Sequence, residues 1–201
     1  MSRPLVIACG ALVSELRAVL AAADLTDAVD VRYLPANLHN RPERIVPELT
    51  AMLTELDPTG ERHVLVGYAD CGTGGALDRL LADRPNLHRL SGNHCYEFFT
   101  GTPAFEALAA AEVGTFYLTD FLAKHFDALI WQGLGLDRHP ELLAMYFGNY
   151  TRLVLLSQTT DATVITAATA AAERLGLRFE HHHVGLSPFQ QAVTVTLRKQ
   201  R

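Results

Sequence analysis

Apolar residues along the chain fall into short continuous runs, separated by longer stretches in which they recur every three or four positions. The runs predict strands at Leu5–Cys9, Val29–Leu34, His63–Tyr68, Leu87–Leu90, Ala128–Gln132, Leu153–Ser157 and Arg178–Val184. The alternating AVTVTL at Ala192–Leu197 predicts a closing edge strand. Several runs are apolar at consecutive positions, as strands covered on both faces must be. Helical spacing predicts helices over Val13–Ala23, over RPERIVPELTAMLTEL as far as DPTG, and over Gly75–Ala82, Pro103–Ala110, Thr119–His125, Pro140–Phe147 and Ala162–Leu175. Asn40 stands where a cap belongs, Pro42 suits a first turn, and Gly176 suits a helix C-terminus.

Strands that alternate with helices predict parallel βαβ units, and therefore an α/β fold with a doubly wound, mostly parallel sheet. The stretch Asn93–Thr119, rich in glycine, aromatic and small residues, separates a first half from a second. The expected architecture is one compact α/β unit over residues 1–201, made of two similar open halves, 1–100 and 115–201, with a cleft between them.

Composition narrows the function classes. With 201 residues and 49% hydrophobic content the chain can bury a substantial core. A net charge of −5 offers no basic stripe, which argues against a nucleic-acid partner. No stretch reaches the ~18 apolar residues of a membrane span. The N-terminal MSRPLVIACGALV reads as a first strand leading to a helix and not as an export signal, so the expected location is cytoplasmic. Three cysteines, an odd number, then point to reduced thiols and not to a disulfide framework.

The chemistry-bearing residues gather where strands end. In open parallel sheets ligands bind at the carboxyl edge, since the loops there are free and helix N-termini face outward. Cys9 ends the first strand, Cys71 follows the third in VLVGYADCGTGG, and Cys95 follows the fourth in LSGNHCYEFF. Three thiolates brought to one edge, with His94 as a fourth donor, suit zinc by softness, or alternatively an iron–sulfur cluster. Cysteines can equally be buried small hydrophobes. Gly72, Thr73 and Gly74 could cradle a phosphate or carboxylate of a cofactor, or simply make a tight turn. Asp70 could hold a ligand histidine or cap the following helix. Further candidates for acid–base work and anion binding on a small-molecule substrate are His39 and Arg41 after the second strand, and Asp137, Arg138 and His139 in GLGLDRHPEL. Glu97 belongs to the same inventory. Alternation along a strand would send His181 and His183 to one face and His182 to the other, as a metal pair or as exposed strand histidines.

The segments HNRPERIVPEL, YADCGTGGALDRLLA, GNHCYEFFTG, GTFYLTDFLAKHFD and GLGLDRHPELLAMYFGNYTRLVLLSQT together resemble the bacterial and archaeal family known as domain of unknown function 1638. The resemblance spans about Leu5 to Gly185 and includes Cys71, His94, Cys95, Asp137 and His139. It implies a setting beside corrinoid-dependent methyltransferases in one-carbon metabolism, with a corrinoid protein or methyltransferase as partner. Two roles follow as expectations: a zinc-dependent enzyme of methyltransferase type, or a non-enzymatic metal carrier. An iron–sulfur redox accessory protein is the third. The triplet His181–His183 has no counterpart in the family pattern.

Overall fold

Leu5–Cys9 (β1) is apolar throughout because the sheet it lies in is covered on both faces. In the computed structural model, which describes residues 3–199, β1 pairs in parallel with Asp30–Leu34 (β2) on one side and Val64–Gly67 (β3) on the other. Leu87–Arg89 (β4) extends the sheet beyond β3, giving the order β2-β1-β3-β4. Alternate residues face opposite ways. Leu5, Ile7, Val64, Val66 and Tyr68 pack with Ile45, Leu49 and Leu53 of the helix Ile45–Leu56 and with Leu77 of Ala76–Ala82. Val6, Ala8 and Leu65, at most 1% exposed, are buried on the other face. The helix Val13–Ala22 contributes Leu16, Val19 and Leu20 to the buried core, and it packs against the C-terminal helix Ser187–Lys199. In chain order these helices are α1 (Val13–Ala22), α2 (Ile45–Leu56) and α3 (Ala76–Ala82), followed by α4 (Tyr96–Thr100).

Gly67 decides how closely β1 and β3 approach. A β-carbon there would lie 2.6 Å from that of Ala8, its register partner. The two strands can close up only because residue 67 has none.

The described residues divide into two units, the chain up to Phe98 and again from Leu186 forming the first, and Phe99–Gly185 the second. In the second, Thr115–Leu118 (β5), Arg152–Ser157 (β6) and Arg178–His183 (β7) make a parallel sheet in that order. Its helices are α5 (Thr102–Ala111), α6 (Asp120–Lys124), α7 (Leu142–Phe147) and α8 (Ala162–Leu175), while Ser187–Lys199 is α9. Helix α8 has the ends its sequence encodes: Asp161 accepts from Thr163 N, and Gly176 follows it in the left-handed conformation, φ 69°. Arg152 is buried on the central strand and donates to Glu180 (2.8 Å), Thr115 Oγ1 (2.7 Å) and the Leu108 carbonyl (3.1 Å). No helix among the described residues is long and apolar enough to cross a membrane.

Two predicted strands are helical instead. Ala128–Gln132 lies in a wide helical turn, Asp127–Trp131, that continues from α6. Its buried residues Phe126 and Ile130 follow Leu122 at intervals of four, a helical spacing hidden inside a short apolar run. Ala192–Leu197 belongs to α9, where Phe189, Val193 and Leu197 form the buried stripe. Its threonines hydrogen-bond back along the helix, Thr194 to the Gln190 carbonyl at 2.7 Å and Thr196 to that of Ala192 at 2.9 Å. Satisfying the hydroxyls this way lets an alternating Val-Thr pattern persist in a helix. Conversely, β5 lies inside the stretch read as a divider, and the C-terminal segment joins the first unit and not the second.

Candidate thiol site

Strand β1 lies between β2 and β3 because the chain first turns to one side and then crosses to the other. Such a reversal opens a crevice at the carboxyl ends of the two strands on either side of it. Cys9 closes β1 and Tyr68 follows β3. They fall on the same face, since Leu5, Ile7 and Cys9 alternate as Val64, Val66 and Tyr68 do. Cys71 comes three residues after Tyr68, and Cys95 arrives on the loop after β4.

The loops after β3 and β4 run side by side. Asp70 N donates to the Gly92 carbonyl at 3.1 Å and Cys71 N to that of Asn93 at 2.9 Å. This brings the thiols together: Cys95 Sγ–H donates to Cys71 Sγ, and both feel the charge of Cys9 or lend theirs to it. Accepting that bond holds the Cys71 thiol below the usual range despite burial, whereas donating it, together with burial, pushes Cys95 well up. Burial likewise pushes the Cys9 thiol up, against a 3.5 Å bond from Ala11 N. All three thiols are part-buried and reduced.

Tyr68 is 3% exposed, and its hydroxyl faces the Cys9 sulfur with no oxygen or nitrogen partner. Its neighbours are the three cysteines, Cys9 nearest in effect, and burial among them drives its ionisation far up. Arg89 is a second residue the pattern did not mark. It is ion-paired to Asp78 at 2.5 Å, donates to the Gly92 carbonyl at 3.1 Å, and places its positive charge near Cys71.

Asp70 organises the turn that carries Cys71. Its carboxylate accepts from Thr73 Oγ1 (2.7 Å), Gly75 N (2.8 Å) and Gly74 N (3.2 Å), and the Thr73 bond holds its pKa below the ordinary carboxylate range. Cys71, Gly72, Gly74 and Gly75 are all left-handed, with φ from 49° to 81°. The opening of the helix thus wraps round a side-chain anion belonging to the chain itself. The Thr73 hydroxyl and the Gly74 amide serve Asp70, and Gly72 lies close to Pro42, where a β-carbon on Gly72 would stand 3.4 Å from the proline ring. That contact sets the His39–Arg41 loop beside the cysteine loop, with His39 and Arg41 both exposed.

On the other loop, buried Glu97 accepts from Asn93 N (2.7 Å) and His94 N (3.2 Å), fixing the approach to Cys95. His94 is exposed and its ring stands 6.3 Å from that of Tyr96. Among the described residues, no three His, Cys, Asp or Glu side chains stand grouped to hold a metal ion without moving.

The model of the family described as "Protein of unknown function (DUF1638)" matches residues 33–193. The chain belongs to that family. No curated protein and no solved structure matches it. The DUF1638 match takes in Tyr68, Cys71, His94 and Cys95, while Cys9 lies before it.

The remaining candidates of this DUF1638 protein belong to the second unit. Asp137, Arg138 and His139 are exposed. Arg138 pairs with Asp137 at 3.7 Å, and His139 Nδ1 faces Glu141 at 3.2 Å. His181 and His183 do share a face: Nε2 of the first and Nδ1 of the second lie 2.8 Å and 3.2 Å from the Oγ of buried Ser157.

Proposed function

We propose that the protein binds one soft metal ion, zinc in the first instance, through the thiolates of Cys71, Cys95 and Cys9. The observation that supports this reading is that cysteines from three separate strand ends gather at the switch point of a parallel sheet, Cys95 hydrogen-bonded to Cys71 and Cys9 within electrostatic reach of both. Three sulfur donors favour zinc or iron over magnesium or calcium. Binding would require the Cys9 side chain to move toward the hydrogen-bonded pair. The Tyr68 hydroxyl, which faces the Cys9 sulfur, would then donate to a thiolate, an outer contact of the kind that steadies metal ligands. The fourth position falls to His94 or to a substrate atom.

A metal held this way would supply Lewis acidity and lower the pKa of an incoming thiol, which is the activation that methyl transfer onto sulfur requires. A place beside a corrinoid protein is part of this proposal and rests on the family resemblance alone. Within it, Arg41 would attract an anionic substrate group, and His39 would accept a proton at the loop edge.

Elemental analysis and absorbance of protein purified without oxygen test the reading. Stoichiometric zinc, lost in Cys71→Ser and in Cys95→Ser, is the expected result. Visible absorbance with iron and sulfide would replace zinc by a cluster. Metal content indifferent to both substitutions would remove the proposal. Replacing His39 by Ala separates enzyme from carrier, because a carrier keeps its support of methyl transfer.

A further inference from the structure

The two backbone hydrogen bonds between residues 70–71 and 92–93 do more than align loops. They fix two cysteines that are 24 positions apart so that one thiol hydrogen-bonds the other. Cys71 takes a left-handed backbone, φ 49°, which a residue with a β-carbon adopts only where its surroundings impose it. Glu97 pins the Cys95 loop by two amides, and Asp70 pins the Cys71 turn by two amides and a hydroxyl. Both residues are part-buried and neither lies in the sealed core.

We infer that Cys71 and Cys95 are an exchange-active dithiol, which closes to an internal disulfide by reaction with the disulfide of a small thiol such as glutathione. Cys71, whose sulfur accepts the hydrogen bond, attacks one sulfur of the incoming disulfide as thiolate. The S–S bond of the reagent breaks, one thiolate leaves with the electron pair and takes a proton from water, and Cys71 carries a mixed disulfide. Cys95 gives up its proton and attacks the Cys71 sulfur, expelling the second small thiolate, which is protonated in turn. Overall the protein dithiol is oxidised by two electrons and the reagent is reduced to two thiols. Cys9 takes no part in the bond.

The inference goes beyond metal binding and has a consequence for it. The disulfide consumes two of the three proposed ligands, so bound metal and closed disulfide exclude each other. Oxidation would eject the ion, and metal would shield the pair.

The test treats the full chain, stripped of metal by a chelator, with glutathione disulfide, then alkylates remaining thiols and maps peptides by mass spectrometry. The expected product is a Cys71–Cys95 linked peptide, with Cys9 alkylated and no glutathione retained. Cys95→Ser should accumulate glutathione on Cys71, and Cys71→Ser should lose the bridge. A stable glutathione adduct on the unaltered chain, a bridge containing Cys9, or no reaction overturns the inference. Metal content is measured on separate, untreated protein: zinc bound without the bridge defeats only the dithiol, and the bridge without zinc defeats only the metal reading. Zinc-loaded protein should resist the reagent until chelator is added.

Discussion

Gly92 lies against the carboxylate of Glu97: a β-carbon on Gly92 would stand 2.9 Å from it. Its backbone also sits at φ 106°, outside the range that residues with side chains occupy. Glu97 in turn holds the amides of Asn93 and His94, so the glycine sets the course of the loop that delivers Cys95. Gly92→Ala should cost about 1–3 kcal/mol through strain and displacement of Glu97. Denaturant unfolding measures that loss. Alkylation should show Cys95 uncoupled from Cys71, with both thiols reacting at more nearly equal rates than in the unaltered chain. Equal stability and unchanged thiol rates would mean that the loop does not depend on this contact.

Asp70 gives a prediction in pH. Its folded pKa is depressed, chiefly by the Thr73 hydroxyl and then by two amides. The stabilisation is therefore present above the ordinary carboxylate range and is lost as pH falls through the folded value. Asp70→Asn should unfold more easily than the unaltered chain at neutral pH, and the gap should close in acid. Chemical denaturation at pH 7 and near pH 3 checks the sign. A gap that widened in acid would contradict the geometry.

The first unit's sheet was legible because its strands are short and bounded by helical stretches, and because β1 and β3 are apolar throughout. β1 was read to the residue and the carboxyl-edge position of all three cysteines followed from it. The errors share one cause, which is that periodicity over five or six residues cannot separate a strand from one buried helix turn. ALIWQ was read as a strand because the interval from Leu122 to Phe126 to Ile130 spans more than the run itself. AVTVTL was misread because the threonine hydroxyls bond to carbonyls four residues back, a partner that only the folded helix reveals. Tyr68 and Arg89 could not be singled out from sequence, since a buried phenol facing sulfur and a charge beneath a loop are facts of packing. Asp70 left two roles open, and the amides of Gly74 and Gly75 draw it into the turn.

Phe189 tests the helical assignment at the C-terminus. It is 1% exposed and stacks on Phe98 at 6.0 Å between ring centroids, within the first unit. Phe189→Ala should destabilise by about 3–5 kcal/mol, as loss of a buried aromatic does. Val195, on the opposite face of α9 and 44% exposed, should tolerate Ala with little change. A strand would reverse part of this pattern, because Val193 and Val195 would then share a face. Thermal unfolding of Phe189→Ala, Val193→Ala and Val195→Ala distinguishes the two.

Arg152 is the corresponding test in the second unit. Only 7% of its side chain is exposed, and it faces Glu180 at 2.8 Å and Glu112 at 3.4 Å. Removing a buried charge strands its partners more than it removes attraction, and the glutamates here keep partial access to water. Arg152→Met should therefore cost about 3 kcal/mol, toward the lower end for a broken buried pair. Restoring balance with Glu180→Gln in the same chain should recover part of the loss, which a double-mutant cycle measures.

The thiol pair makes the last prediction, in the rate of alkylation against pH. Cys71 ionises below the usual thiol range because Cys95 donates a hydrogen bond to its sulfur, and this outweighs the burial that pushes the other way. The thiolate is the reacting species, so Cys71 should be modified by iodoacetamide at pH values where Cys95 and Cys9 remain inert. Cys95→Ala removes the donor and leaves the burial. Its Cys71 profile should move to higher pH, beyond that of an ordinary thiol if desolvation then dominates. Cys95→Ser keeps a hydroxyl that can donate to the same sulfur and should restore most of the low-pH reactivity. Rescue by serine but not by alanine assigns the effect to the hydrogen bond, whereas identical profiles in both variants would assign it to the charge of Arg89 nearby.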